Sequence, residues 1–178
     1  AIDLFGSAEQ KSRWLPEMAQ GMKLSCFALT EPGFGSNPGG LRCFARKTAD
    51  GYRLSGAKRW IGNGTIADVA VVWAKVDGEP GVDQESADAI RGFLVEKGTP
   101  GLSFGNPIQK MGVRTSVQRE VYLEDCHVPA ENLVGQEGQG LRIALSALDV
   151  GRIEIAAQGV GLAQGAYDYA LNHAKGRV

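Results

Sequence analysis

Apolar residues change their spacing twice along the chain, and the two changes divide it into three stretches. Residues 8–20 follow the pattern of a short helix, with Ser7 placed to cap its start and Gly21 its end. Pro16 lies inside this segment, lacks a backbone donor, and is expected to kink or split it. From Leu24 to Pro129 the period drops to that of strands, in short runs punctuated by glycine and proline. Residues 41–48 and 52–61 flank Asp50-Gly51, a hairpin signal. Alternation with period two places Tyr52, Leu54 and Trp60 on one face of the second run. Residues 69–74 are almost continuously apolar, which predicts a strand covered on both faces. Further strands are expected over 90–96, around 102–104, and over 117–123.

After Gly135 the helical period returns. Leu141, Leu148, Ile155, Leu162 and Tyr169 recur every seven residues, with Leu145 and Ala166 flanking the same stripe. A helix of about 35 residues would be roughly 50 Å long at the usual rise. An element of that length normally belongs to a bundle, so its stripe is expected to be exposed in this chain. The pattern therefore predicts an α+β protein in three parts. These are an N-terminal helical remnant (1–22), a central β domain (23–134) built as an antiparallel barrel or sandwich, and a long helix (135–178).

Composition narrows the function classes. A net charge of −1 leaves no basic footprint for nucleic acid, and no apolar run approaches a membrane span. The three cysteines, Cys26, Cys43 and Cys126, are odd in number, widely spaced and without a metal-binding spacing, which suggests a reducing compartment. Five acidic residues in 77–89 (Asp77, Glu79, Asp83, Glu85, Asp88) with no basic one read as a solvated loop. The chain starts at Ala1 without an initiator methionine and stops within a helical pattern, as expected of a fragment of a longer protein.

One stretch exceeds what a turn requires. Residues 26–40 end a short apolar run in a loop containing Pro32, Gly33, Gly35, Pro38, Gly39 and Gly40, with Thr30, Glu31 and Ser36 among them. Such a loop can wrap a polar ligand with backbone amides, or can serve as a plain crossover between strands. A second glycine-bounded stretch runs from Gly56 through Lys58, Trp60 and Asn63 to Gly64. By contrast, the glycines at 159, 161 and 165 follow no strand, fall within the helical pattern and miss the dinucleotide spacing, so a Rossmann site is excluded.

The two glycine-bounded stretches, with Lys110-Met-Gly-Val-Arg114 and the run from Leu123 to Gly135, resemble the acyl-CoA dehydrogenase family. These flavoproteins oxidise acyl-CoA thioesters between the α and β carbons, and the resemblance covers nearly the whole chain in order. It implies FAD as cofactor, with Phe27, Leu29, Thr30, Gly35 and Ser36 on the first stretch and Trp60, Ile61 and Gly62 on the second as its contacts. It also implies that Asp149 and Arg152 on the long helix, with Ser36, contact the acyl-CoA substrate. The alternative for Asp149 and Arg152, one helical turn apart, is an ordinary surface ion pair. An electron-transfer flavoprotein as redox partner, a homo-oligomer, and a bacterial cytoplasmic or mitochondrial matrix location are further implications.

The chain departs from the family pattern at Phe34, where a small residue is usual, at Asn37, where aspartate is usual, and at Gly62, where a hydroxyl side chain is common. Abstraction of an α proton needs a carboxylate in an apolar pocket. In most of the family that glutamate lies beyond the C-terminal end of this chain. A minority carry it directly before the helix arginine, where Gly151 stands here, and Glu154 nearby is read as solvated or paired. No catalytic residue is therefore expected within these 178 residues. His127, in a turn after a strand, and His173 supply no substitute. Alternatives on the same fold are glutaryl-CoA dehydrogenase, acyl-CoA oxidase and flavin monooxygenase. A different class, a non-enzymatic β-sandwich binding module, predicts no flavin at all.

Overall fold

The computed structural model describes residues 1–77 and 81–177. The chain forms two compact units, Ala1–Ala144 and Leu145–Val178. The first holds helices α1 (Ile2–Phe5) and α2 (Ala8–Ala19) and eight strands. These are β1 (Ser25–Ala28), β2 (Phe44–Thr48), β3 (Gly51–Gly62), β4 (Val69–Asp77), β5 (Ile90–Glu96), β6 (Leu102–Phe104), β7 (Gln118–Pro129) and β8 (Leu133–Val134). Helix α3 (Gly140–Gly176) begins in the first unit and makes up most of the second.

Local chemistry sets the ends of α2. The Ser7 hydroxyl accepts from the Gln10 amide while the Gln10 side chain accepts from the Ser7 amide, a reciprocal cap. The end is sealed by Gly21 at φ +71°, with the Gly21 and Met22 amides donating to the carbonyls of Met18 and Glu17. Of the expected kink or split at Pro16, the split does not occur, and the helix runs through it from Ala8 to Ala19. The ring removes a single donor, and the flanking turns hold Gln10 and Trp14 in buried positions. The Gln10 amide nitrogen also donates to the carbonyls of Glu131 (2.7 Å) and Leu133 (2.9 Å). Gln10→Ala would remove the side-chain half of the cap and both of these bonds, leaving the Gln10 amide on the Ser7 hydroxyl. An expected loss of about 2–3 kcal/mol follows at roughly 1 kcal/mol each, and a shifted urea midpoint would show it.

The strands form one sheet in the order β6-β7-β3-β2-β4-β5-β8, and it does not close into a barrel. Most pairings are antiparallel, but β4 runs parallel to both β1 and β2. These two share one edge of β4 end to end: Ser25–Ala28 oppose Val69–Val72, and Phe44–Arg46 oppose Lys75–Asp77. The chain between them must leave the sheet and return, and that excursion is the glycine-rich loop. Strand β4 is buried on both faces as its apolar run predicts, and Trp73 at its centre is fully covered. Its ring lies 4.3 Å from that of Phe27, and its indole N–H donates to the Gly140 carbonyl at 3.0 Å.

Two expectations need correction. Residues 126–129, including His127, do not form a turn after a strand but belong to β7, which runs to Pro129 paired along β3. Trp60 does not share a face with Tyr52 and Leu54. The pairing of β3 with β7 shifts register between Lys58 and Ile61, and Trp60 sits there at φ +62° with 45% of its surface exposed. A bulge inverts the alternation for every residue beyond it. The hairpin turn between β2 and β3 falls on Ala49-Asp50, with Gly51 already opposite Thr48. In the acidic loop Asp83, Glu85 and Asp88 are exposed, as expected, and Glu79 lies outside the described residues.

Candidate functional site

The loop begins where β1 gives out. Leu29 is buried, Thr30 half-buried, and Glu31 and Phe34 close a tight turn by exchanging backbone hydrogen bonds at 3.1 and 3.2 Å. Beyond that turn Gly35 and Ser36 are exposed. The Phe34 ring folds back over Gly40, where a Cβ would stand 2.6 Å from the ring, and the Arg42 guanidinium lies 5.5 Å from the ring centre. Phe34, Asn37, Arg42, Phe44, Lys75 and Asp77 line a groove of about 570 Å³ beside the loop.

The second motif meets the first through β3. The Arg59 amide donates to the Thr30 carbonyl at 2.8 Å. One residue earlier, the Lys58 ammonium reaches Glu31 Oε1 at 2.8 Å and the Leu29 carbonyl at 3.2 Å. Lys58 is completely buried and the Glu31 side chain is 5% exposed. Glu31 also accepts from the backbone amides of Arg42 at 2.6 Å and Cys43 at 2.9 Å. This ion pair was not singled out from sequence, although a signal existed. Continuing the alternation from Tyr52 and Leu54 puts Lys58 on the buried face, where a lone charge is costly.

The residues singled out from sequence therefore separate by exposure. Leu29 and Ile61 bury their side chains and can offer only backbone to a ligand, while Gly35, Ser36 and Trp60 are open. Phe27 is half-buried against Trp73. The Trp60 indole carries the Arg59 guanidinium 5.3 Å from its ring, and Arg59 Nε stands 3.6 Å from Glu120, which accepts a 2.5 Å bond from the Tyr122 hydroxyl. Asp149 and Arg152 lie in the second unit and pair with each other at 2.6 Å, both side chains 68% exposed. Most of the expected apolar stripe is open on the same helix, with Ile155, Leu162 and Tyr169 about two-thirds or more exposed. The glycines at 159, 161 and 165 are all helical, so no phosphate loop forms there.

Among the described residues no group of three His, Cys, Asp or Glu could hold a metal ion, and no helix is long and apolar enough to cross a membrane. All three cysteines are buried and unbridged. Burial pushes the thiols of Cys26 and Cys43 up to about 11 from an ordinary value near 9. In the window between those values the folded protein keeps protons that the unfolded chain releases, so stability falls as pH rises through it. At pH 8 iodoacetamide is expected to label neither thiol until urea is added. Intact mass would reveal premature labelling.

Comparison with known proteins gives a consistent result. The family model for the acyl-CoA dehydrogenase middle domain matches residues 26–126, and that for the C-terminal domain matches residues 138–178. The mitochondrial short-chain specific acyl-CoA dehydrogenase of Mus musculus is 42% identical over 173 residues, covering 97% of this chain and 41% of that protein. The solved structure of butyryl-CoA dehydrogenase from Megasphaera elsdenii superposes with a TM-score of 0.91 at 40% identity, over 99% of this chain and 45% of the other. A glutaryl-CoA dehydrogenase from Mycobacterium smegmatis in complex with FADH2 matches with a TM-score of 0.74 at 43% identity, over 83% and 36% of the two chains. The chain spans less than half the length of these relatives. With both domain models aligned in order and the middle-domain model alone matching more than half of its residues, the chain belongs to the acyl-CoA dehydrogenase family.

Proposed function

We propose that the chain is part of an FAD-dependent enzyme that oxidises a short acyl-CoA to the trans-2-enoyl-CoA. The observation that carries this reading is the joining of the two motif segments, through the Arg59–Thr30 and Lys58–Glu31 bonds, beside a tryptophan turned outward. The surroundings suit a flat ring with polar edges. Trp60 offers a broad apolar face. A Cβ at Gly62 would meet nothing within 4 Å and one at Gly35 only Thr30 Cγ2 at 4.0 Å, so both backbones are open to close approach.

In this reading Trp60 packs against the isoalloxazine, Thr30 addresses its polar edge, and Phe27, Leu29, Gly35, Ser36, Ile61 and Gly62 complete the FAD contacts. Gly62 contributes its amide alone, since it has no hydroxyl to offer. Bound FAD supplies the acceptor for the hydride that leaves the β carbon. Ser36, Asp149 and Arg152 hold the acyl-CoA, an Arg being suited to pair with phosphate oxygens. The position before Arg152 is Gly151, so the carboxylate that takes the α proton comes from a part of the protein outside these residues. The names of the relatives support short acyl chains, and the resemblance supports an electron-transfer flavoprotein as redox partner and a homo-oligomer.

A visible spectrum of the full-length protein, before and after anaerobic addition of butyryl-CoA, tests the proposal. A yellow protein that bleaches is expected. Yellow without bleaching would move the reading to another chain length or chemistry, and a colourless protein that refuses added FAD would sink it.

A further inference from the structure

The Lys58–Glu31 pair has no place among the residues assigned to a ligand, yet it is the most completely buried ion pair described in the molecule. Desolvating both charges is costly unless bonds return the loss, and those bonds reach an unusual set of partners. Lys58 holds the Leu29 carbonyl at the end of β1, and the Glu31 carboxylate holds the amides of Arg42 and Cys43 just before β2. The carboxylate therefore closes the loop at both ends, at residue 31 and at residues 42–43. The ammonium fastens that closure to β3 two residues before the outward-turned Trp60. Hydrophobic contacts could hold these strands together but would not fix the loop in one register, because they lack direction.

We propose that Lys58 and Glu31 act as a positioning pair for the flavin site. They set the Thr30–Ser36 segment and the Arg59–Gly62 segment at the one separation that receives the ring, and neither touches it. The proposal rests on the flavin reading above. It implies that the two residues behave as one unit, since removing either end opens the same tie.

The test uses full-length wild-type protein, Lys58→Met, Glu31→Gln and the double variant. FAD affinity is measured by titrating each apoprotein, alongside the visible circular dichroism of bound FAD and far-ultraviolet circular dichroism for the fold. Each single variant is expected to bind FAD about ten- to a hundredfold more weakly, the scale on which outer partners of a ligand shell act. An altered visible dichroism should accompany the loss, and the double variant should be no weaker than the worse single. Glu31→Gln keeps the side-chain volume and carries the test if Lys58→Met fails to fold. Variants with wild-type affinity and visible dichroism but lower thermal stability would overturn the proposal, as would losses that multiply in the double variant. A wild type that takes no FAD would overturn the flavin reading and this proposal together.

Discussion

Trp73→Ala is expected to lower stability by roughly 3–5 kcal/mol, the range for emptying a fully packed aromatic site. At roughly 2–4 °C per kcal/mol for a chain of this size, the Tm would fall on the order of 10 °C. The magnitude follows from the position. Trp73 is wholly buried at the middle of β4, the strand to which β1, β2 and β5 all pair. Its ring supports Phe27 from 4.3 Å, and its indole N–H satisfies the Gly140 carbonyl at the start of α3. No small rearrangement can fill the space, because Gly92 brings the β5 backbone against the indole and a Cβ there would already stand 3.4 Å from Nε1. Trp73→Phe restores most of the apolar volume and abandons only the carbonyl. It should recover more than half of the loss, leaving about 1–2 kcal/mol. Calorimetry of the three proteins decides the matter, and an alanine variant melting within 2 °C of wild type would falsify the account.

Trp60→Gly should behave in the opposite manner. Stability is expected to change by less than about 1 kcal/mol in either direction, while FAD affinity falls roughly ten- to a hundredfold. A non-glycine residue at φ +62° carries about 1 kcal/mol of strain, which glycine relieves. Against this stands the lost attraction between the Arg59 guanidinium and the indole, about 0.5–1 kcal/mol at an exposed site. The two nearly cancel. Stacking between an aromatic side chain and a planar heterocycle is worth roughly 1–3 kcal/mol, which sets the expected loss of affinity. Trp60→Ala separates the contributions, since it loses the ring but keeps the strained backbone. A glycine variant that melts many degrees lower and still binds FAD tightly would show that the indole serves the sheet and not the ligand.

The contrast between these two tryptophans shows how much the sequence can reveal. Trp73 lies in an unbroken apolar run, and continuous hydrophobicity over six residues is a signal that needs no knowledge of partners. Trp60 looks equally like a core residue by alternation with Tyr52 and Leu54. What turns it outward is a register shift against β7, and no local pattern records the register of a distant strand. The same limit hid the parallel pairing of β1 with β4, the two-residue strand Leu133–Val134 and the four-residue helix Ile2–Phe5, all of which depend on tertiary neighbours. The turn expected around His127 is instead the end of β7, held in register by its pairing with β3, another partner that no local pattern records. In the site, the two glycine-bounded motifs were legible because their composition is extreme. The buried pair that joins them was half legible: Lys58 fell on the inward side of the alternation, but its partner lies on the other motif and only the fold reveals the match.

The parallel pairing of β1 with β4 has a consequence for the order of assembly. The β2–β3 hairpin can form from neighbouring residues, but β1 has no partner until β4 exists. Long-range parallel pairing is slow, because the intervening chain must be closed before any bond rewards it. On a ribosome adding about 5–20 residues per second, the segment that ends in Thr30 and Glu31 therefore emerges early and waits. It stays unanchored until β4 has left the exit tunnel and Lys58 has been carried into place by its own hairpin. The glycine-rich loop is among the first parts of this domain to be synthesised, yet it cannot acquire its shape until β3 and β4 have followed it.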